Sequence, residues 1–282
     1  MDIALQSKKD RALTILRREG SVVVALSGGV DSAVLLALAV EALGAGRVLA
    51  ITGRSAAVPE DDVLDARAVA GSLGARHEVV ETRELETTAY KANTGDRCYH
   101  CRSELFDMIR VVSSERGFGA IAYGAIPDDA GDFRPGMAAA DERGVRAPLI
   151  EAGIDKSGVR ALAAEYGLAV RDKPAAACLA SRIPVGTEVT PERLAQVGRA
   201  EKALKEMGFL AVRVRHHGEI ARLELDPEGD RRLADPGVRS AVVEAVKRAG
   251  FSFVALDLEG YRMGSLNPLK TQRIRPARDG GQ

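Results

Sequence analysis

Short apolar runs alternate with stretches of helically spaced apolar positions through the first half of this chain. Val22–Leu26, Val48–Thr52, His77–Glu81 and Ala120–Tyr123 are rich in β-branched and apolar residues, which predicts strands. Val22-Val23-Val24-Ala25-Leu26 has no polar position at all, as expected of a parallel strand covered on both faces. Lys8–Arg18, Ser32–Leu43, Pro59–Leu73, Ser103–Arg116 and Lys156–Tyr166 predict helices. This alternation predicts an α/β fold, a doubly wound parallel sheet that binds ligands at the carboxyl ends of its strands. The segments Ser27–Ser32, Thr52–Ser55 and Gly124–Asp132 should all lie on that edge.

The rhythm changes in Pro174–Thr190, where Pro174, Pro184 and Gly186 interrupt any regular element. A smaller α+β region follows. Pro191 opens a helix running to Met207, and Ala211–Arg215 and Ala221–Leu225 read as strands. Val238–Ala249 then reads as a helix and Phe253–Leu258 as a last strand. The expected division is a first domain over 1–175, a C-terminal α+β domain over 186–268 and a mobile tail over 269–282.

Chemistry first enters at Ser27-Gly28-Gly29-Val30-Asp31-Ser32, set between a strand and a helix. Two glycines there let the main chain approach an anion, and a helix start offers unpaired N–H groups and a favourable dipole. Gly28, Gly29, Ser27 and Ser32 are the expected phosphate cradle, and Asp31 is the expected ligand of the magnesium that accompanies a nucleotide. The segment lacks the Lys-Ser/Thr ending of a Walker A loop and the spacing of the dinucleotide fingerprint.

The 282 residues suffice for two domains, and 40 basic against 40 acidic side chains argue against a polyanionic partner such as nucleic acid. Aromatic residues are only 4% of the chain and tryptophan is absent, leaving few platforms for stacking single-stranded bases. No apolar run reaches about 18 residues, so no membrane span is expected. Lys8, Lys9, Asp10 and Arg11 near the N-terminus do not resemble a signal peptide, which predicts a cytoplasmic protein.

Three cysteines carry the second signal. Cys98 and Cys101 form a C-x-x-C in what reads as the loop Gly95–Arg102, and Cys178 lies in another loop. An odd count does not suit a disulfide framework. His100, between the pair, is poorly placed as a fourth zinc ligand. Three thiolates suit three irons of a 4Fe–4S cluster with the fourth iron open, while a redox dithiol beside an unrelated Cys178 is the competing reading. Arg97, Arg102 and Arg182 near these cysteines favour thiolates or anionic substrates.

The phosphate loop resembles that of the ATP pyrophosphatases, the PP-loop enzymes, which imply an adenine-nucleotide α-hydrolase-like fold. Over nearly its whole length the chain resembles the ATP-dependent sulfurtransferases of nickel-pincer nucleotide synthesis, the LarE family. The matching segments are Ser27–Ser32, Cys98-Tyr99-His100-Cys101, Asp128-Asp129, Asp132-Phe133-Arg134-Pro135-Gly136, Ala147–Gly153, Lys173–Pro184 and Arg213–Gly218. Ile126 stands where the family commonly has Asn.

The resemblance implies that ATP adenylates the carboxylates of pyridinium-3,5-biscarboxylic acid mononucleotide and that sulfur then displaces AMP. Family members use either a sacrificed cysteine at the position of Cys178 or a sulfide on a 4Fe–4S cluster held by cysteines placed like Cys98, Cys101 and Cys178. All three are present here, which favours the cluster and an external sulfide donor. The resemblance also implies a homo-oligomer built on trimers, a hexamer included. It places Arg213, Arg215 and Glu201 around the substrate's phosphate.

Among the remaining candidates, Ser55 follows the second strand, where adenosine would lie, and Lys156 opens a helix within reach of ATP phosphates. Asp132 and Arg134 follow the fourth strand and suit a phosphate or carboxylate. Ser181 and Arg182 beside Cys178 suit the carboxylate being activated. Rival readings are a tRNA thiolase, against which neutral charge and the lack of spare cysteines speak, and a non-catalytic nucleotide-binding or iron–sulfur assembly protein.

Overall fold

The computed structural model describes residues 2–129, 135–173 and 177–262. The expected tail over 269–282, with Asp132 and Arg134, lies outside the described residues. The chain divides into two compact units, Met1–Tyr90 with Asp96–Ala177, and Lys91–Gly95 with Cys178–Gln282.

The first unit opens with helix α1 (Ile3–Glu19), capped by the Asp2 side chain, which accepts from Leu5 N at 2.6 Å. Strand β1 (Val22–Ala25), helix α2 (Val30–Leu43), strand β2 (Val48–Arg54), helix α3 (Glu60–Ser72) and strand β3 (Arg76–Glu81) follow. Next come helices α4 (Thr88–Ala92) and α5 (Arg97–Arg116), strand β4 (Ala120–Tyr123), and helices α6 (Pro135–Glu142), α7 (Pro148–Ala152) and α8 (Lys156–Glu165).

The four strands form a parallel sheet in the order β3-β2-β1-β4. Successive strand residues face opposite ways, and both faces are covered. Val22 and Val24 enter a core shared with α1, α2 and α8, while Val23 enters a second core with Phe106 and Ile109 of α5. From β1 the chain winds outward to β2 and β3, then returns to place β4 on the other side of β1. That reversal is the switch point at which such sheets open a crevice for ligands. The turn after β1 and the turn after β4 meet there: a Cβ on Gly124 would lie 2.6 Å from Ser32 N.

The second unit contains helix α9 (Pro191–Glu206), strands β5 (Val212–His217) and β6 (Ile220–Leu225), helices α10 (Pro227–Arg232) and α11 (Pro236–Arg248), and strand β7 (Phe253–Leu256). Its sheet is mixed, with β5 antiparallel to β6 and β6 parallel to β7. Thr190 caps α9 and Pro191 occupies its first position. His216 and His217, beyond the strand expected over Ala211–Arg215, end β5; the turn is carried by Gly218, which takes φ +65°.

Lys91–Gly95 joins this unit through Asn93, whose side-chain amide donates to Pro184 O at 2.8 Å and Thr187 O at 2.9 Å. Gly186 N returns a bond to Asn93 O at 2.9 Å. Among the described residues no helix is long and apolar enough to cross a membrane.

Candidate active site

The turn between β1 and α2 is folded by its own hydroxyls. Ser32 Oγ donates to Gly29 O at 3.1 Å and accepts from Ser27 N at 3.1 Å, and the two serine hydroxyls lie 3.1 Å apart. Ser32 is buried, so its role here is to brace the turn. Gly29 is the extended N-cap of α2, and Asp31 lies in the first turn of that helix. Gly28 has φ +74°, and a Cβ there would collide with the Asp62 carbonyl at the start of α3. Glycine is therefore required at 28 on both backbone and packing grounds.

Across the crevice, Lys156 Nζ donates to Asp31 Oδ1 at 2.7 Å and Oδ2 at 2.9 Å, and Lys156 N donates to Asp128 Oδ2 at 3.1 Å. Two helix starts, those of α2 and α8, thus face one another through a bidentate ion pair. A second lysine, Lys173, was not singled out in the sequence beyond its place in the Lys173–Pro184 segment. Its Nζ donates to Gly28 O at 3.2 Å, to Asp62 Oδ1 at 2.8 Å and to Asp65. Burial works against the Lys173 charge, but the two carboxylates outweigh it and hold the ammonium above the usual lysine range.

Ser55 lies just beyond β2 and donates to Glu84 Oε1 at 2.5 Å while accepting from Ala57 N at 3.2 Å. Its single proton is thereby engaged, and only acceptor capacity is left for a ligand. Glu84 was not legible as a site residue. It is buried at the carboxyl edge, and its Oε2 has no hydrogen-bond partner among the described residues.

Cys98 and Cys101 do not sit in a loop. α5 begins at Arg97, so both occupy its first turns at i, i+3 and share one face. The helix starts early because Tyr99 N bonds Asp96 O at 2.8 Å and His100 Nε2 lies 3.1 Å from Asp96 Oδ2. Tyr99 OH also donates to Glu142 at 2.6 Å, tying this turn to α6. Cys98 is exposed and Cys101 half-buried. Two thiols at this spacing suit two positions of a cluster. Among the described residues no group of three or more His, Cys, Asp or Glu side chains is gathered to hold a metal ion.

In the second unit Cys178 precedes a 3-10 turn over Leu179–Arg182 and is half-buried. Arg182, expected to grip a carboxylate, is only 2% exposed and is engaged internally. Its Nε and NH2 donate to the two oxygens of Glu201 at 2.8 and 2.9 Å, and NH1 donates to Cys178 O and Ser181 Oγ. Ser181 Oγ accepts one of those bonds. Glu201 also accepts from Val214 N at 3.0 Å, closing the edge of β5 that no strand covers.

The arginines of β5 share a face, as alternation requires, but that face is covered rather than solvated. Arg215 is 5% exposed, with NH2 2.7 Å from Glu224 Oε2 and NH1 2.9 Å from Ser181 O. Arg213 stacks on Tyr261, its Cζ 5.1 Å from the ring centroid, and donates to the Tyr261 hydroxyl at 3.1 Å. Burial, then the neighbouring Arg182 charge, holds the Arg213 guanidinium below the usual arginine range. Ile126 packs into the core with α1 and α2, 3% exposed, so its side chain does not line the crevice.

A parallel sheet with this turn at its switch point, and with Asp31 facing a lysine, defines a PP-loop nucleotide-binding α/β protein. Residues 15–109 match the NAD synthase family. An uncharacterized protein of Synechocystis is 40% identical over 268 residues, covering 95% of this chain and 100% of that one. The pyridinium-3,5-bisthiocarboxylic acid mononucleotide synthase of Lactiplantibacillus plantarum is 37% identical over 269 residues, 95% of this chain and 96% of its own. A tRNA-specific 2-thiouridylase of Azorhizobium caulinodans is 34% identical over 191 residues, but these cover 54% of this chain and 48% of that enzyme. At 37% identity over 95% of its length, the chain belongs to the LarE family of pyridinium-3,5-bisthiocarboxylic acid mononucleotide synthases.

Proposed function

We propose that this protein converts the carboxylates of pyridinium-3,5-biscarboxylic acid mononucleotide into thiocarboxylates at the expense of ATP. A carboxylate oxygen attacks the α-phosphorus and pyrophosphate leaves, giving an acyl adenylate. Sulfur then attacks the acyl carbon, and AMP departs with the oxygen that the carboxylate contributed. The reading is carried chiefly by Asp31 and Lys156, paired at the phosphate turn with the glycine main chain beside them. There Lys156 and the α2 helix start neutralise the departing pyrophosphate, and Asp31 holds its cation.

Ser55, limited to accepting, takes a hydroxyl or amine of the nucleoside. Arg213, the less buried of the β5 arginines, takes the substrate's phosphate, while Arg215, held by Glu224 and Ser181 O, adds its charge. Ser181 lies beside the sulfur-bearing Cys178. Cys98, Cys101 and Cys178 would hold a 4Fe–4S cluster, which supplies an exchangeable sulfide when bound. The homo-oligomer built on trimers belongs to the same reading.

Anaerobic protein tests the sulfur source: iron and sulfide near four each per chain, lost in Cys98→Ala, are expected. An iron-free enzyme whose Cys178 loses its sulfur after a single turnover would replace the cluster with a sacrificed cysteine. The adenylation half is tested by pyrophosphate release. ATP cleavage that ignores the carboxylated mononucleotide would overturn it.

A further inference from the structure

Arg102, so far only one of the positive charges near the cysteines, has a setting unusual for this protein. It follows Cys101 directly and lies four residues, about one helical turn, after Cys98 on α5. Its stem is pinned by α6, where a Cβ on Gly136 would lie 2.6 Å from Arg102 Cδ and 2.9 Å from Nε. Its guanidinium stacks on Tyr123, with Cζ 5.4 Å from the ring centroid. Tyr123 ends β4 beside Ala25 of β1, and the next residue, Gly124, presses on the amide of Ser32. A short chain of contacts therefore leads from Arg102 to the phosphate turn.

What distinguishes Arg102 is its unused hydrogen-bonding capacity. Among the described residues its guanidinium makes no hydrogen bond and no ion pair. Other arginines of the same unit are committed: Arg143 grips Asp107 with two nitrogens, Arg146 pairs with Glu19 and Glu151, and Arg116 pairs with Glu78. A half-buried arginine, fixed by stacking and packing, with five N–H donors that meet no acceptor among the described residues, is prepared for an oxyanion.

The nucleotide's phosphates already have the glycine turn, the α2 helix start and Lys156. Of the two arginines that the sequence offers for a carboxylate, Arg134 lies outside the described residues and Arg182 has its Nε, NH1 and NH2 on protein acceptors. A planar fork matches a planar carboxylate in two parallel bonds. We propose that Arg102 is the carboxylate receptor of this site, gripping a carboxylate of the pyridinium substrate at the carboxyl end of β4. The proposal rests on the function proposed above and adds to it a determinant for acidic over neutral substrates. It places that carboxylate on the helix that bears Cys98 and Cys101.

Two mononucleotides differing at one group test it: nicotinic acid mononucleotide, with a carboxylate, and nicotinamide mononucleotide, with a neutral amide. The native protein is expected to bind the acid at least about tenfold more tightly, the worth of a charge-assisted pair. Arg102→Met, which keeps the stem against Gly136, should erase that preference while leaving the affinity for ATP and the melting temperature unchanged. Arg102→Lys should restore part of it. In the pyrophosphate exchange reaction, Arg102→Met should raise KM for the biscarboxylate about tenfold and leave KM for ATP alone.

No preference for the acid in the native protein would overturn the proposal, as would a preference that survives in Arg102→Met. Equal losses for both mononucleotides and ATP, with a lowered melting temperature, would assign Arg102 to packing and overturn it too. Native protein that shows no carboxylate-dependent exchange would instead sink the underlying function.

Discussion

Lys156 Nζ contacts both carboxylate oxygens of Asp31, at 2.7 and 2.9 Å, from a position 125 residues further along the chain. The pair keeps the nucleotide-free turn internally neutral. In the proposed reaction an entering triphosphate would compete with Asp31 for the ammonium, and the released carboxylate would then be open to the cation that travels with the nucleotide. Lys156→Ala should raise KM for ATP about tenfold, and Asp31→Asn should lower turnover about a hundredfold with the fold intact. Pyrophosphate exchange kinetics beside circular dichroism check both. An Asp31→Asn enzyme of native activity would remove Asp31 from the reaction.

Gly28 and Gly20 have nearly the same backbone angle, φ +74° and +71°, but different surroundings. A Cβ at 20 meets nothing within 4 Å, whereas at 28 it strikes the Asp62 carbonyl. Gly20→Ala should therefore show only local backbone strain, about 1–3 kcal/mol, and bind ATP normally. Gly28→Ala must displace the turn, and a loss of ATP affinity of at least about tenfold is expected by calorimetry. Equal ATP affinities in the two variants would contradict the packing argument.

Arg182 and Glu201 form a buried bidentate pair, 2% and 3% exposed, that also fixes Val214 N–H and Cys178 O. Removing one partner strands the other charge. Glu201→Ala should destabilise the protein by about 3–5 kcal/mol in urea unfolding. A loss under about 1 kcal/mol would mean that the pair is open to water.

His216 gives the second unit an acid sensitivity. Burial, then the positive charge of Arg193, holds its imidazole below the usual histidine range. Its Nε2 lies 3.2 Å from Gln196 Oε1, so Nε2 carries the proton and Nδ1 has no partner among the described residues. With the folded value depressed, the unfolded chain binds more protons in the window below about 6.5. Stability is thus expected to be intact above that pH and to fall as pH drops through the folded value. His216→Gln should show a flatter fall in melting temperature across the window, after allowance for His77 and His217, which burial shifts the same way. An unchanged slope would contradict the assignment.

β1 and β2 were legible in the sequence because both faces of each are buried, which leaves their apolar runs uninterrupted. The turn Ser27–Ser32 was legible because a short polar, glycine-rich stretch stands between two apolar ones. The start of α5 was not, since Arg97-Cys98-Tyr99-His100-Cys101-Arg102 has no apolar period and depends on Asp96 and on Glu142 of α6. Lys173 and Glu84 escaped notice for a related reason: each acts through partners far along the chain, Gly28 and Ser55. Alternation along β5 puts its arginines on one face, but cannot reveal that Glu224 and the Leu179–Arg182 turn cover Arg215.

Attack by a carboxylate oxygen on the α-phosphorus of ATP is the central claim, and the fate of that oxygen tests it most directly. The biscarboxylate substrate, labelled with oxygen-18 in its carboxylates, is turned over with ATP, and the AMP is examined by mass spectrometry. One labelled oxygen in AMP for each sulfur gained by the substrate is the expected result. Label appearing in inorganic phosphate, or a thiocarboxylate formed beside unlabelled AMP, would contradict the account.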